Sequence, residues 1–285
     1  MIDLHTHSNC SDGSLSPTEL VRLGVTSGLA ALALTDHDTV AGLDEALAAC
    51  RSTGIRFLGG VEFEAAFSPG KLHILGIGLS DWHGEIEKRL IEMREKRTER
   101  NRRIIDKMQK AGIAATLADI EEIAVGTVVG RPHFAEFLVR NGIVRTIQEG
   151  FDRYLATGKR FYAKRENFQP AEVVALIRQA GGKAVLAHPL TLKVSLSRLA
   201  GLIDSFKTIG MEGIEAFHAN APLPVAEQIA AIARAAGMIV TAGSDYHGDY
   251  RPDRRLGRGA GGLPIGDEYL HPFLDGATVS EPPEQ

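Results

Sequence analysis

Short apolar runs punctuate this chain at intervals, and several of them end in a histidine or a carboxylate. The runs are Ile2–Leu4, Ala31–Leu34, Arg56–Val61, Leu72–Leu79, Lys183–Ala187, Gly213–Phe217 and Met238–Ala242. Between them lie segments with helical spacing; in the first, Ser16 is placed to cap a helix and Pro17 to fill its first position. Repeated strand-then-helix units predict a parallel sheet in the α/β class. The ionisable residues sit at the C-terminal ends of the runs, which is where a barrel of such units gathers its active site. The pattern therefore predicts a distorted, TIM-like (β/α)7 barrel with a helical insertion, in preference to an open doubly wound sheet.

The insertion shows as a break in rhythm. Residues 81–165 hold no convincing strand and begin with a long charged helix from Glu85 to about Lys110. The expected division is a barrel from 1–80 and 166–275, an inserted helical unit over 81–165 acting as lid or substrate wall, and a flexible tail over 276–285. From Arg94 to Lys110 basic residues outnumber acidic ones. Pairs at helical spacing on a solvated face explain most of that excess, with phosphate contact along Arg94–Arg103 as the functional alternative.

A chain of 285 residues, 44% of them apolar, can bury one large core or one core with a smaller unit. A net charge of −4 and a pI near 6.2 argue against a protein built mainly to coat nucleic acid. Two cysteines, Cys10 and Cys50, are too few for a disulfide framework, and no long apolar run or leader is visible. A reduced, cytoplasmic location is expected, with no membrane and no obligate protein partner. Cys10 reads as a small packed residue rather than a redox group.

Most of the chain's ten histidines fall in a few short segments. They are His5-Thr-His7, Thr-Asp36-His37-Asp38, His73, Arg131-Pro-His133, Ala-His188-Pro and Asp245-Tyr-His247, with Glu62 closing Gly-Val-Glu. Alternate side chains of a strand share a face, so His5 and His7 can grip one cation together. A lone histidine is more simply a hydrogen-bonded core residue. The full set is different, because neighbouring imidazoles and acids need a cation to offset their desolvation and repulsion.

Taken in order, His5-x-His7, Asp12, His37, Glu62, His73, His133 and Asp245-x-His247 resemble the PHP family, the polymerase-and-histidinol-phosphatase phosphoesterases. That resemblance spans nearly the whole chain and implies a distorted (β/α)7 barrel holding two or three divalent metals. It implies one metal on His5, His7, Glu62 and Asp245, with Glu62 bridging to a second held by His73 and His133. A third falls to Asp12, His37 and His247. Some relatives carry histidine where this chain has Asp12, which favours oxygen-preferring Mn²⁺, with Fe²⁺ or Zn²⁺ as alternatives. Asp36 and Asp38 are placed to orient ligands from behind.

Divalent cations about 4 Å apart acidify a shared water and hold phosphoryl oxygens for in-line attack, so phosphoester hydrolysis needs no side-chain nucleophile. His188 is then a candidate to donate a proton to the leaving oxygen or to bind phosphate, with a strand-end structural role as its alternative. Arg131 offers a planar fork for phosphate, against a helix-start ion pair. Arg251, Arg254 and Arg255 lie on a flexible basic loop able to embrace a second phosphate, and Lys164 and Arg165 are weaker candidates.

Within the family, Gly130-Arg-Pro-His-Phe134 and Ala187-His-Pro189 resemble the members acting on nucleoside 3′,5′-bisphosphates, which implies release of the 3′-phosphate and a 5′-nucleotide product. Related members trim short 5′-phosphorylated RNA, and one hydrolytic site serves both. A histidinol-phosphate phosphatase ranks second, since its cationic substrate would favour an acidic pocket. A binuclear amidohydrolase and a non-catalytic, metal-stabilised RNA- or protein-binding module remain behind these.

Overall fold

The computed structural model describes residues 1–124, 129–164 and 166–274. Strands form where apolar runs are buried along their length rather than alternately, the signature of strands covered on both faces. They are β1 (Ile2–Thr6), β2 (Ala31–Leu34), β3 (Arg56–Ala65), β4 (Leu72–Ile77), β5 (Lys183–Leu186), β6 (Gly213–His218) and β7 (Ile239–Gly243). They follow one another in sequence order around a seven-stranded sheet. Thr6 bridges Tyr246 just past β7, which draws the first and last strands together into a nearly closed barrel.

The sheet is parallel except at β4, which pairs antiparallel with both β3 and β5. This corrects the all-parallel expectation, and the reason is the connection. Residues 66–71 are too few for a helical crossover, which takes a dozen or more, so β4 must turn back along β3. His73 therefore reaches the ligand-bearing end of the barrel from the start of its strand. Phe168 pairs with Ala65, so the chain also returns to the barrel at that end.

Helices α1 (Pro17–Thr26) and α2 (Leu43–Thr53) cover the first strands. Ser16 caps α1 as expected: its hydroxyl accepts from Glu19 N–H, and Glu19 reaches back to complete a capping box. The barrel interior holds Leu4, Ala33, Leu58, Leu75, Val185 and Ala242. Ile265, Leu270 and Phe273 join this core, with Ile2 N–H donating to Ile265 O at 3.0 Å. The C-terminal segment thus closes the end at which β1 begins, opposite the histidines.

Two compact units emerge, Ile91–Glu166 and the remainder. The smaller contains most of α3 (Glu85–Gln109), with α4 (Leu117–Ile123), α5 (Arg131–Arg140) and α6 (Ile147–Gly150), which runs on into a π-helical turn over Phe151–Leu155. It has its own core around Ile104, Met108, Phe134, Leu138, Leu155 and Phe161. In the larger unit, α7 (Pro170–Gln179), α8 (Leu196–Thr208) and α9 (Leu223–Ala235) complete the outer layer. Arg165 and the expected tail lie outside the described residues.

Candidate metal centre

The β1 strand carries His5, with an irregularity in its register between Asp3 and Thr6, and His7 follows just past its end. The backbone locks this end to β7: His7 N–H donates to Tyr246 O and Asp245 N–H to His5 O, each at 2.9 Å. Asp38, His188 and Asp245 all adopt positive φ, at 50°, 25° and 53°. Such left-handed backbone costs a non-glycine residue about 1–3 kcal/mol and persists where the surroundings over-determine it. Here it lets the chain turn sharply at the strand ends, with His188 and Asp245 lining the mouth cavity and Asp38 accepting the Glu64 N–H.

Glu62 stands at the centre, fully buried. Its Oε2 lies 3.2 Å from His5 Nε2, 3.3 Å from His7 Nε2 and 3.1 Å from His37 Nδ1. Its Oε1 lies 2.8 Å from both His73 Nδ1 and His188 Nε2. Asp245 Oδ1 approaches His7 Nε2 at 3.1 Å and His5 Nε2 at 3.4 Å. On the outer side, Asp12 Oδ1 is 3.2 Å from His247 Nε2, and Asp12 Oδ2 is 3.7 Å from His37 Nε2. Three overlapping groups result: His5, His7, Glu62 and Asp245; His37, Glu62 and His73; and His7, Asp12, His37 and His247.

The donor set fits divalent cations, since it mixes imidazole with carboxylate. His5 Nε2 and His7 Nε2 lie 3.1 Å apart, a contact between two ring nitrogens that a shared cation makes favourable. His7 Nδ1, His73 Nε2 and Asp245 Oδ1 are buried with no hydrogen-bond partner among the described residues. Buried polar atoms rarely go unpaired, and here they face the groups that would share an ion.

The electrostatics keep the carboxylates ionised. Burial opposes the charge of Glu62, but His37, His5 and His73 outweigh it and hold the group well below the usual range. Asp245 is likewise held well below, by His5, His218 and His7. Burial brings His37 down to about 4, which leaves a neutral imidazole able to bind a cation. His7, also buried, is carried up to about 10 by Asp245 and Glu62.

A supporting layer was only partly visible in the sequence. Glu215 Oε1 sits 2.9 Å from His5 Nδ1, and Glu215 Oε2 accepts the His188 backbone N–H at 2.8 Å, so one carboxylate holds the His5 ring and the His188 backbone. His218 Nε2 lies 3.0 Å from Asp245 Oδ2, the oxygen that Arg254 also clasps. Asp36 accepts from Ser8 N–H at 2.8 Å and from the hydroxyls of Ser8 and Ser11 at 2.6 Å, which orders the turn leading to Asp12. The signals for the missed residues existed: His218 ends a strand, Glu215 interrupts an apolar one, and Asp3 is a carboxylate within the first apolar run.

The mouth opens into a cavity of about 320 Å³, lined by Asp12, His37, His73, His188, His218 and His247 with Lys71, Arg251, Arg254, Pro189 and Leu190. Arg255 lines a neighbouring cavity. Arg131 and His133 belong to the smaller unit and to none of the three ligand groups. The Arg131 guanidinium lies 6.0 Å from the Phe151 ring centre and 5.8 Å from that of Tyr162, and His133 Nδ1 accepts the Gly130 N–H at 3.0 Å. Lys164 is exposed on the same unit. Cys10 and Cys50 are free thiols, the latter in the core.

A barrel whose mouth gathers buried imidazoles around shared carboxylates defines a hydrolase of the metal-dependent kind. The PHP domain model matches residues 3–159, and the chain belongs to that family of phosphoesterases. It is 36% identical over 245 residues to a Haemophilus influenzae 5′-3′ exoribonuclease, covering 86% of this chain and 89% of the relative. It is 35% identical over 257 residues to a Chromobacterium violaceum 3′,5′-nucleoside bisphosphate phosphatase, covering 90% of each. Among solved structures, a Chromobacterium violaceum amidohydrolase with bound sulfate superposes with a TM-score of 0.75 at 33% identity, over 95% of this chain and 96% of that one.

Proposed function

We propose that the protein removes the 3′-phosphate of nucleoside 3′,5′-bisphosphates to give 5′-nucleotides, and trims short 5′-phosphorylated RNA at the same centre. The observation that carries this reading is Glu62, whose two oxygens are each shared by imidazoles from different strand ends. The names of the two relatives at 35–36% identity support the substrate class. Lys71 and Arg251 on the cavity wall favour a substrate with a second phosphate over a cationic one such as histidinol phosphate.

Two or three divalent ions, with Mn²⁺ favoured by Asp12, would supply an acidified water and polarise the phosphoryl oxygens. Around them the chain's own residues act as holders. Glu215 orients His5 through its far ring nitrogen, the arrangement that raises ligand basicity and fixes the tautomer. His218 and Arg254 hold one oxygen of Asp245 and leave the other facing His5 and His7. The 2.8 Å approach of His188 Nε2 to Glu62 Oε1, beside His73, favours His188 as the partner of His73 there, in the position put forward for His133. Arg251 is left to meet the substrate's second phosphate. Free thiols at Cys10 and Cys50 support a cytoplasmic setting, and no helix among the described residues is long and apolar enough to cross a membrane.

The test is phosphate release from adenosine 3′,5′-bisphosphate, histidinol phosphate and a 5′-phosphorylated RNA oligomer by the Mn²⁺-loaded protein, with products read by mass. Preference for the bisphosphate, giving the 5′-nucleotide and lost in Glu62→Ala, is expected. Turnover of histidinol phosphate alone would refute the substrate class.

A further inference from the structure

The loop that follows β7 carries four arginines, and the structure divides them. Arg254 is buried and turned inward against Asp245, and Arg251 lines the metal-centre cavity. Arg255 and Arg258 are exposed and line a second cavity of about 450 Å³, together with Ala219, Asp253, Gly259 and Gly262. The two cavities are neighbours. Ala219 lies between His218 and Asn220, which line the first, and Asp253 lies beside Arg254.

The loop is tied to the barrel by hydrogen bonds. The fully buried Asp3 carboxylate accepts the Gly257 N–H at 2.7 Å, the Ser244 hydroxyl at 2.5 Å and the Ser244 N–H at 3.0 Å. One side chain thus ties β1, the end of β7 and the loop together. Arg258 N–H donates to Arg255 O, and Gly259 packs so closely that a Cβ there would lie 2.6 Å from Phe217 O. Gly261 and Gly262 follow with positive φ, 64° and 71°, in a tight turn beside Arg258.

Elsewhere on the surface, Arg140 and Arg153 pair with Glu136 and Glu149. Among the described residues, Arg255 makes no ion pair, and the Arg258 guanidinium meets only the Gly262 carbonyl, at 3.5 Å. Asp253 opens the same cavity and leaves one net positive charge in it. Two guanidinium groups held on a rigid platform, facing open space beside a phosphoester-cleaving centre, are preorganised for an anion whose position relative to that centre is fixed.

We propose that Arg255 and Arg258 form a subsite for an internucleotide phosphate of an RNA strand whose terminal nucleotide occupies the metal-centre cavity. The inference rests on the phosphoesterase reading above and deepens it. Lys71 and Arg251 already serve the second phosphate of a mononucleotide within the first cavity, so a phosphate that reaches past Ala219 belongs to the next nucleotide. The strand therefore leaves the centre between the ends of β6 and β7, across the loop that Asp3 anchors.

The test compares adenosine 3′,5′-bisphosphate with 5′-phosphorylated RNA dimers and tetramers, for the Mn²⁺-loaded protein and for Arg255→Ala/Arg258→Ala. The variant should lower kcat/KM for the tetramer about tenfold relative to the bisphosphate, chiefly through KM, as expected for lost charge-assisted phosphate contacts. The slope of log(kcat/KM) against log salt should become shallower by about 0.7 for each contact removed. Arg255→Lys/Arg258→Lys should keep that slope. Equal losses on bisphosphate and tetramer, or no loss on either, overturn the subsite. Fluorescence anisotropy of a labelled tetramer with non-hydrolysable linkages separates the hydrolytic function from the subsite. If the protein turns over neither substrate yet binds the tetramer through these arginines, the function fails and the subsite stands; if it cleaves the bisphosphate but binds the tetramer no better than the variant does, the reverse holds.

Discussion

Glu215 shows how much of this centre depends on residues that need not touch a metal. Its carboxylate, held near 2 because His5, His218 and His188 outweigh its burial, fixes His5 from behind. Outer partners of this kind typically contribute about 10–100-fold to metal affinity, so Glu215→Ala should weaken metal binding by that factor in competition with a chelating dye while the fold persists by circular dichroism. His188 and His133 separate in the same assay. His188→Ala should lower the bound metal per chain, and His133→Ala should leave it unchanged. The cysteines follow burial: Cys50 is pushed up to about 12 and Cys10 also upward. A thiol reagent at pH 8 should find Cys50 only after unfolding in urea, since the thiolate is the reactive form.

At the scale of elements, two contacts join the sheet to the site. A Cβ on Gly243, the last residue of β7, would lie 2.3 Å from His5 Cβ and 2.5 Å from Glu215 Oε1. Gly243→Ala must therefore displace a ligand-bearing strand end, and should reduce metal content more than global stability, read by metal analysis beside urea unfolding. By contrast Ser16→Ala, which removes a helix cap outside the three groups of candidate ligands, should cost about 1 kcal/mol in urea unfolding and leave metal content intact. The strands were legible in the sequence because their apolar runs are short and bounded. The direction of β4 was not read from them, although the short 66–71 connection demanded an antiparallel return. Its reversal explains how His73 joins residues from the C-terminal ends of the other strands.

For the whole molecule, metal and stability are coupled. A cation bound only by the folded chain stabilises it by RT ln(1 + [L]/Kd), about 4 kcal/mol at a thousandfold excess over Kd. Chelation should thus lower Tm markedly, and Glu62→Ala should abolish that dependence; a Tm indifferent to chelator in the intact protein would count against a bound cation. The order and spacing of His5-x-His7, Glu62, His73 and Asp245-x-His247 were enough to infer a metal centre, because strand alternation and strand ends follow from local pattern alone. The α/β barrel was legible for the same reason. Which groups share an oxygen, that His188 meets Glu62, that Arg254 turns inward to Asp245 while Arg255 faces out, and that buried Asp3 anchors the loop at Gly257 were decided only by tertiary structure. These contacts join residues up to 254 positions apart, and only closure of the barrel, not any local periodicity, brings such residues within hydrogen-bond reach.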